Sequence, residues 1–289
     1  MNLAIQKITR GVLCLALVGL ALTFSQVPAF ADPIAITDNP AGLSDNPGPE
    51  QGDELPPGFL AVEEGLALGL GVGFANSPYK DYGFQWTPLP IISYEGKYAY
   101  IRGMTAGLKL LNTNFFELSA FIGYDPTSFD ASSSSNWAMK RLKDRQASGV
   151  VGMEARVLTP IGMLAANASG DVLGHSNGFS GKASYTYSAE FGDLEIDPSV
   201  GILWSTSKYN DYYYGVSDKE SRRSRLKSYD AGAGIAPFVN LTAIYSFNDK
   251  WSMFLSGQVE FLESSIKDSP MVNKSEVFNV QTGISYSFF

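Results

Sequence analysis

Cysteine and histidine are almost missing: the 289 residues contain one of each. Cys14 sits in an N-terminal apolar run, so the rest of the chain can form no disulfide framework and offers no thiol chemistry. One histidine leaves metal binding to carboxylates, and DYYYGVSDKE (211–220) lacks EF-hand spacing. Past the N-terminal run, no apolar stretch reaches the roughly 20 residues of a helical membrane span. A basic excess is missing too. The formal net charge is −8, which argues against nucleic acid as a partner. No metal, cofactor or nucleic acid is expected.

The first residues read as an export signal. Lys7 and Arg10 precede GVLCLALVGLALTF (11–24), and Ala29-Phe30-Ala31 has the small-x-small form of a cleavage site at Ala29 and Ala31. Residues 32–62 follow as an acidic, proline-rich tail. Its first part, DPIAITDNPAGLSDNPGPEQGDELPPG, carries six prolines, six acids and neither Lys nor Arg. Proline cannot donate to a ladder and like charges repel, so the tail is expected to be disordered and periplasmic.

From 63 to 289 the chain keeps a two-residue period. In GLALGLGVGFA (65–75), Leu66, Leu68, Leu70, Val72 and Phe74 share one face, and glycine and alanine fill the other. WSMFLSGQVEF (251–261) and GKASYTYSAEF (181–191) alternate likewise. One face is apolar and aromatic; the opposite face is small, hydroxylated or charged, with Gly and Ser where a soluble surface would favour Lys and Glu. Strands of about ten residues behind an export signal fit a tilted membrane strand. A sheet in hydrocarbon must close on itself, because no water is there to satisfy a free edge. The expected fold is therefore all-β: a transmembrane antiparallel up-and-down barrel.

Candidate strands fall at 65–75, 86–95, 97–102, 105–111, 115–124, 147–159, 161–172, 180–191, 194–208, 231–247, 250–263 and 276–289. With a periplasmic N-terminus, the long connections 76–85, 125–146, 173–179, 209–230 and 264–275 all lie outside. The tight turns at Gly96, 112–114, Pro160, Gly192-Asp193 and Asn248-Asp249 lie inside, as such barrels require, except that the short 103–104 connection falls outside. Merging 97–111 gives eleven strands and puts the long 125–146 loop on the wrong side. Twelve strands are expected, with ten as the alternative. The closing GISYSFF offers Tyr286 and Phe288 in phase, with Phe289 one residue beyond, as a terminal aromatic signal for the barrel-assembly machinery.

By phase, Glu117, Glu154, Arg156, Lys182, Glu190 and Glu260 face the lumen. A Lys or Arg on the lipid side would cost about 2–4 kcal/mol at mid-depth. Two outer loops are basic. Lys140, Arg141, Lys143 and Arg145 lie in KRLKDR; Arg222, Arg223 and Arg225 lie in RRSRLK. They are candidates to face the phosphates of lipopolysaccharide, set against solvated loop charges balanced by Asp144, Asp218 and Glu220. Tyr209, Tyr212, Tyr213 and Tyr214 read as an interfacial girdle. The enzyme-like GHSNG (174–178) sets His175 beside Ser176. Neighbouring residues on a strand face opposite ways, so a turn is expected and a phospholipase-like hydrolase is the remote alternative.

The stretches GLGVGFANSPYKDYGFQWTPLPIISYEGKYAYIRG (69–103), YYGVSDKESRRSRLKSYDAGAG (213–234), LTAIYSFNDKWSMFLSGQVEFL (241–262) and GISYSF (283–288), in this order, resemble the MipA/OmpV (MltA-interacting protein) family. The resemblance implies a non-enzymatic outer-membrane barrel of a Gram-negative bacterium. It also implies a scaffold between a lytic transglycosylase and a penicillin-binding protein in peptidoglycan growth. The alternatives it leaves are a narrow porin-like channel and a surface receptor or adhesin. It carries no catalytic motif.

Overall fold

The computed structural model describes residues 64–288. The export signal with Ala29 and Ala31, the acidic tail and Phe289 lie outside the described residues. Thirteen strand segments are β1 (Gly65–Ala75), β2 (Gln85–Glu95), β3 (Ala99–Arg102), β4 (Thr105–Asn112), β5 (Phe116–Asp125), β6 (Ser148–Thr159), β7 (Gly162–Asp171), β8 (Phe179–Thr186), β9 (Ala189–Phe191), β10 (Leu194–Ser205), β11 (Gly234–Ser246), β12 (Trp251–Phe261) and β13 (Glu276–Ser287). Neighbours pair antiparallel in chain order, and β13 returns to β1 from Ala67–Ser287 to Ala75–Asn279. β8 and β9 both pair with β10 and are two halves of one strand. The result is a closed barrel of twelve strands.

The break between β8 and β9 has a local cause. Tyr187 donates its N–H to Pro198 O at 3.1 Å. Pro198 has no N–H to return, so the ladder lapses for two residues and resumes at Ala189. The expected strands 97–102 and 105–111 are indeed separate, as β3 and β4, which decides twelve against ten. The expected strand 194–208 stops at Ser205, because a helix, α1 (Ser207–Tyr214), takes over.

No helix among the described residues is long and apolar enough to cross a membrane; the strands do the crossing. Their outward faces are bare hydrocarbon: Leu70 is 73% exposed, Leu241 55% and Leu255 52%. An apolar belt this continuous far exceeds what a soluble monomer shows to water. Phe84, Trp86, Phe179, Phe261 and Phe278 ring its outer end. Tyr98, Phe115, Phe191, Phe247, Trp251 and Phe288 ring the periplasmic end, the two aromatic girdles of a membrane barrel. Tyr286 packs edge-on against both Trp251 and Phe288, with centroids 5.0 Å apart in each pair.

Inside the closing seam the small face is a steric need. A Cβ built on Gly69 would lie 2.2 Å from the carbonyl oxygen of Ile284 across the β1–β13 seam. One built on Gly257 would meet nothing within 4 Å. Gly69→Val is therefore expected to abolish the folded, heat-modifiable band in gel electrophoresis, whereas Gly257→Ala retains it.

Candidate functional site: a capped polar lumen

Four outer loops, 76–84, 126–147, 206–233 and 262–275, interlock across the outer mouth. Their first strong element is α1. Its spacing puts Tyr209 and Tyr213 on one face, and both are buried, with Tyr214 beside them. These rings pack with Tyr79, Phe129, Met139, Ile266 and Met271 into one apolar cluster. Tyr79 donates to Tyr213 O at 3.2 Å, and its ring lies edge-on to Phe129 at 4.8 Å. Tyr209 reaches across the mouth and donates to Asp125 at 2.9 Å, at the outer end of β5. The tyrosines expected as an interfacial girdle are thus the core of a crown. Strand phase was the wrong frame for them, because Ser205 ends the strand.

A buried ion pair pins the crown. Arg145 is 8% exposed and donates to Tyr212 O at 2.5 Å, Lys143 O at 2.8 Å and Glu220 at 2.9 Å. This overturns its reading as a lipopolysaccharide-facing charge. A guanidinium with a carboxylate and three carbonyls in reach, the third being Gly215 O, has no need of an outside anion. Glu220 belongs to α2 (Asp218–Ser224), where it completes a capping box with Ser217. Burial opposes its charge. Hydrogen bonds from the Ser217 hydroxyl and the Lys143 N–H, together with Arg145, nonetheless hold its carboxyl down at about 2.

The other basic residues stay outside, and the crown brings the two segments together. Arg141 stacks 4.0 Å from the ring of Trp137, and Arg225 approaches the same ring at 5.8 Å from the C-cap of α2. Arg141 also donates to Arg223 O at 3.4 Å. Lys140, Lys143, Arg222 and Arg223 are exposed on the same two segments.

Below the crown lies a cavity of about 320 Å³ lined by polar and apolar side chains, Tyr209 among them. Glu154 and Arg156, both inward on β6, pair at 2.5 Å and line it. Lys182 lines it too, with its ammonium 4.8 Å from the Phe238 ring. Glu260 is buried at the outer end of β12, and its Oε1 has no hydrogen-bond partner among the described residues. Glu190 is exposed at the periplasmic end of β9, paired in register with Glu195.

Glu117 is 2% exposed and belongs to a four-member network that phase reading only partly found. Arg102 bonds both Glu95 and Glu117, the latter at 3.0 Å. Lys109 pairs with Glu95 at 2.8 Å and Glu117 at 3.7 Å. Two cations against two carboxylates leave no net buried charge, which is the condition for tolerating ions in this place. Arg102 also lies 4.0 Å from the Tyr100 ring. Glu95 shares the phase of Thr87 and Ser93 and was legible. Lys109 was masked by the register shift between it and Leu111.

The GHSNG turn forms a connection, not a catalytic pair. His175 Nδ1 lies 2.9 Å from Ala147 O, while the Ser176 hydroxyl is 3.2 Å from Asp171. Asp171 accepts from the backbone N–H groups of Leu173, Gly174, Ser176 and Asn177, which folds the turn around one carboxylate. Among the described residues no group of three potential metal ligands converges.

A closed cylinder with a lipid belt, two aromatic girdles and a capped lumen defines an outer-membrane β-barrel, and the outer membrane is its place. The chain belongs to the family described as MltA-interacting protein MipA, whose model matches residues 68–288. It is 36% identical over 231 residues to the MltA-interacting protein of Escherichia coli (strain K12), covering 80% of this chain and 93% of that one. It is 35% identical over 228 residues to the outer membrane protein YiaT of the same strain, covering 79% and 93%. It is 27% identical over 239 residues to the outer membrane protein OmpV of Vibrio cholerae, covering 80% and 90%. These relatives are named as interacting or outer-membrane proteins, not as enzymes. The NanC porin aligns over 76% of this chain and 98% of its own at 8% identity, with a TM-score of 0.44.

The sign of the Glu220 shift sets an acid limit for the crown. A depressed carboxyl contributes stability above its ordinary value near 4.5, and that stability is lost as pH falls towards about 2. Pepsin cleavage of loops 126–147 and 206–233, measured against the heat-denatured protein at the same pH, is expected to be extensive at pH 2 and slight at pH 4. Arg145→Met strands Glu220 and should cost the crown about 3–5 kcal/mol. Hydrogen exchange confined to those loops, with the strands still protected, would report it.

Proposed function

We propose that the barrel is a non-enzymatic scaffold of the outer membrane that holds a murein hydrolase, a lytic transglycosylase, at its periplasmic face, with a penicillin-binding protein as second partner in peptidoglycan growth. The observation that supports this over an open channel is the crown: four loops locked by a buried ion pair and a tyrosine core stand across the outer mouth. The name of the relative at 36% identity, an MltA-interacting protein, supports the partner class. The closing Tyr286 and Phe288, with Phe289, we take as the signal read by the barrel-assembly machinery.

Purified protein in detergent should retain a lytic transglycosylase from solubilised envelopes, and the same protein in planar bilayers should be silent. Deleting 207–232 is expected to open a conductance. Steady current through the intact barrel, with no hydrolase recovered, would replace the scaffold by the narrow porin-like channel.

The convergence of both basic segments on Trp137 favours a lipopolysaccharide contact as a second feature of the same reading. Arg and Lys forks around an exposed aromatic suit phosphate on a glycolipid. Arg141→Ala/Arg222→Ala/Arg223→Ala should lower co-purified lipopolysaccharide at least threefold, while Lys250→Ala, on a periplasmic turn, leaves it unchanged.

A further inference from the structure

All eleven residues of β2 pair with β1, from Gly65–Glu95 to Ala75–Gln85. On its other edge β2 pairs with β3 only at Ser93, Tyr94 and Glu95. The β3–β4 hairpin ends early, at a turn through Gly103 and Met104, whereas β2 runs on outward to Gln85 and β5 from Gly123, opposite Thr105, to Asp125. No named strand covers residues 85–92 of β2 on that side.

The cause is written in QWTPLPIISYE. Backbone groups of alternate residues in an antiparallel strand face alternate neighbours. Ile92 O accepts the Gly103 N–H at 3.2 Å, so the even-numbered residues of β2 face β3. Pro88 and Pro90 are the next two in that row, and neither has an N–H to offer. A longer β3 would find carbonyls there and no donors. The same pair denies the gap to an added peptide strand, which needs both.

The gap has a sill, a lintel and an interior. Its sill is the hairpin turn, tied to β5 where Tyr124 donates to Met104 O at 3.2 Å. Its lintel is the crown, where Tyr82 donates to Asp130 O at 2.8 Å and accepts from the Asp130 N–H at 2.9 Å. Met104, Tyr124 and Pro126 line the same cavity as Phe121 and Arg156. Phe121 faces inward in phase with Glu117 and Ser119; Tyr124 has the opposite phase, towards lipid. Met104 and Tyr124 carry the cavity lining to the hairpin turn at the foot of the gap. Trp86, 69% exposed in the outer girdle, flanks the opening, which sets it at the outer leaflet.

We infer that this gap is a lateral window through which the acyl chain of an outer-leaflet amphiphile enters the lumen. Phe121, Met104, Tyr124 and Val150 offer it an apolar wall. Arg156, Lys182, Asn167 and Gln281, elsewhere on the cavity lining, offer donors for a polar or anionic head. With the outer mouth crowned, the side is the route an outer-leaflet amphiphile can take.

Short-range fluorescence quenching tests the window. Trp86, Trp137, Trp204 and Trp251 are replaced by Phe, and one tryptophan is returned at Phe121 or, as a control, at Phe254, which is inward and buried but does not line the cavity. The proteins are placed in bilayers of dibrominated phosphatidylcholine, or in plain bilayers with 12-doxylstearate. Phe121→Trp should be quenched at least twofold more than Phe254→Trp. Quenching in the first bilayer alone assigns the occupant to bilayer lipid; quenching also by doxylstearate assigns it to single-chain amphiphiles. Equal, weak quenching at both positions in both bilayers overturns the window. Heat-modifiable mobility checks folding, and Val150→Trp, on the neighbouring strand and lining the same cavity, serves if Phe121→Trp does not fold.

Discussion

The structure depends on one constraint: in hydrocarbon every backbone N–H and C=O must find its partner within the sheet. β13 meets β1 over nine residue pairs, and that seam turns a ribbon into a cylinder. The side-chain pattern follows from closure. The outer face can be all Leu, Val, Ile and Phe because lipid covers it. The inner face is glycine and serine where strands crowd; its ions pair in the Glu95–Arg102–Lys109–Glu117 network and at Glu154–Arg156, while Glu260 is buried with Oε1 unpartnered among the described residues. Two lapses in the ladder, at Tyr187-Ser188 and beside residues 85–92 of β2, lie against proline; the register shift between Lys109 and Leu111 does not. The constraint fails where the chemistry of the chain makes it fail.

Inside, the charges sort into three kinds of solution. Glu95, Arg102, Lys109 and Glu117 neutralise one another and brace the shortest strands, β3 and β4, which have the fewest backbone pairs to hold them. Glu154 and Arg156 pair along one strand at the cavity wall. Arg145 and Glu220 lie outside the membrane part and serve the loops alone. A crown tied by its own ion pair can respond to acid without disturbing the barrel below it.

Much of this was legible in the chain. The two-residue period located the strands because a one-residue slip would turn every apolar side chain inward. Gly192-Asp193 and Asn248-Asp249 marked tight turns for a local reason: Gly192 takes φ +65°, and Asn248 accepts the N–H groups of Lys250 and Trp251. The crown was not legible in strand phase. Tyr209 and Tyr213 announce it only when read four apart on a helix, and nothing nearby says that they will meet Tyr79, 130 or more residues earlier. Lys109 was hidden by a register shift. Arg145 looked like its neighbours in KRLKDR until Glu220 was brought to it from another loop. Local patterns reach the sheet; partners joined across loops need the fold.

The crown also says something about time. Tyr79 in the first outer loop bridges to Val272 in the last, and Leu262, Ile266 and Met271 of that last loop belong to the same apolar cluster. These contacts cannot exist until the final hairpin has crossed the bilayer. A barrel interrupted during insertion therefore carries an unsealed end with bare tyrosines, and the finished molecule differs from every earlier stage by a surface that has disappeared. Completion of the chain is registered at the cell exterior, far from the terminus that completes it.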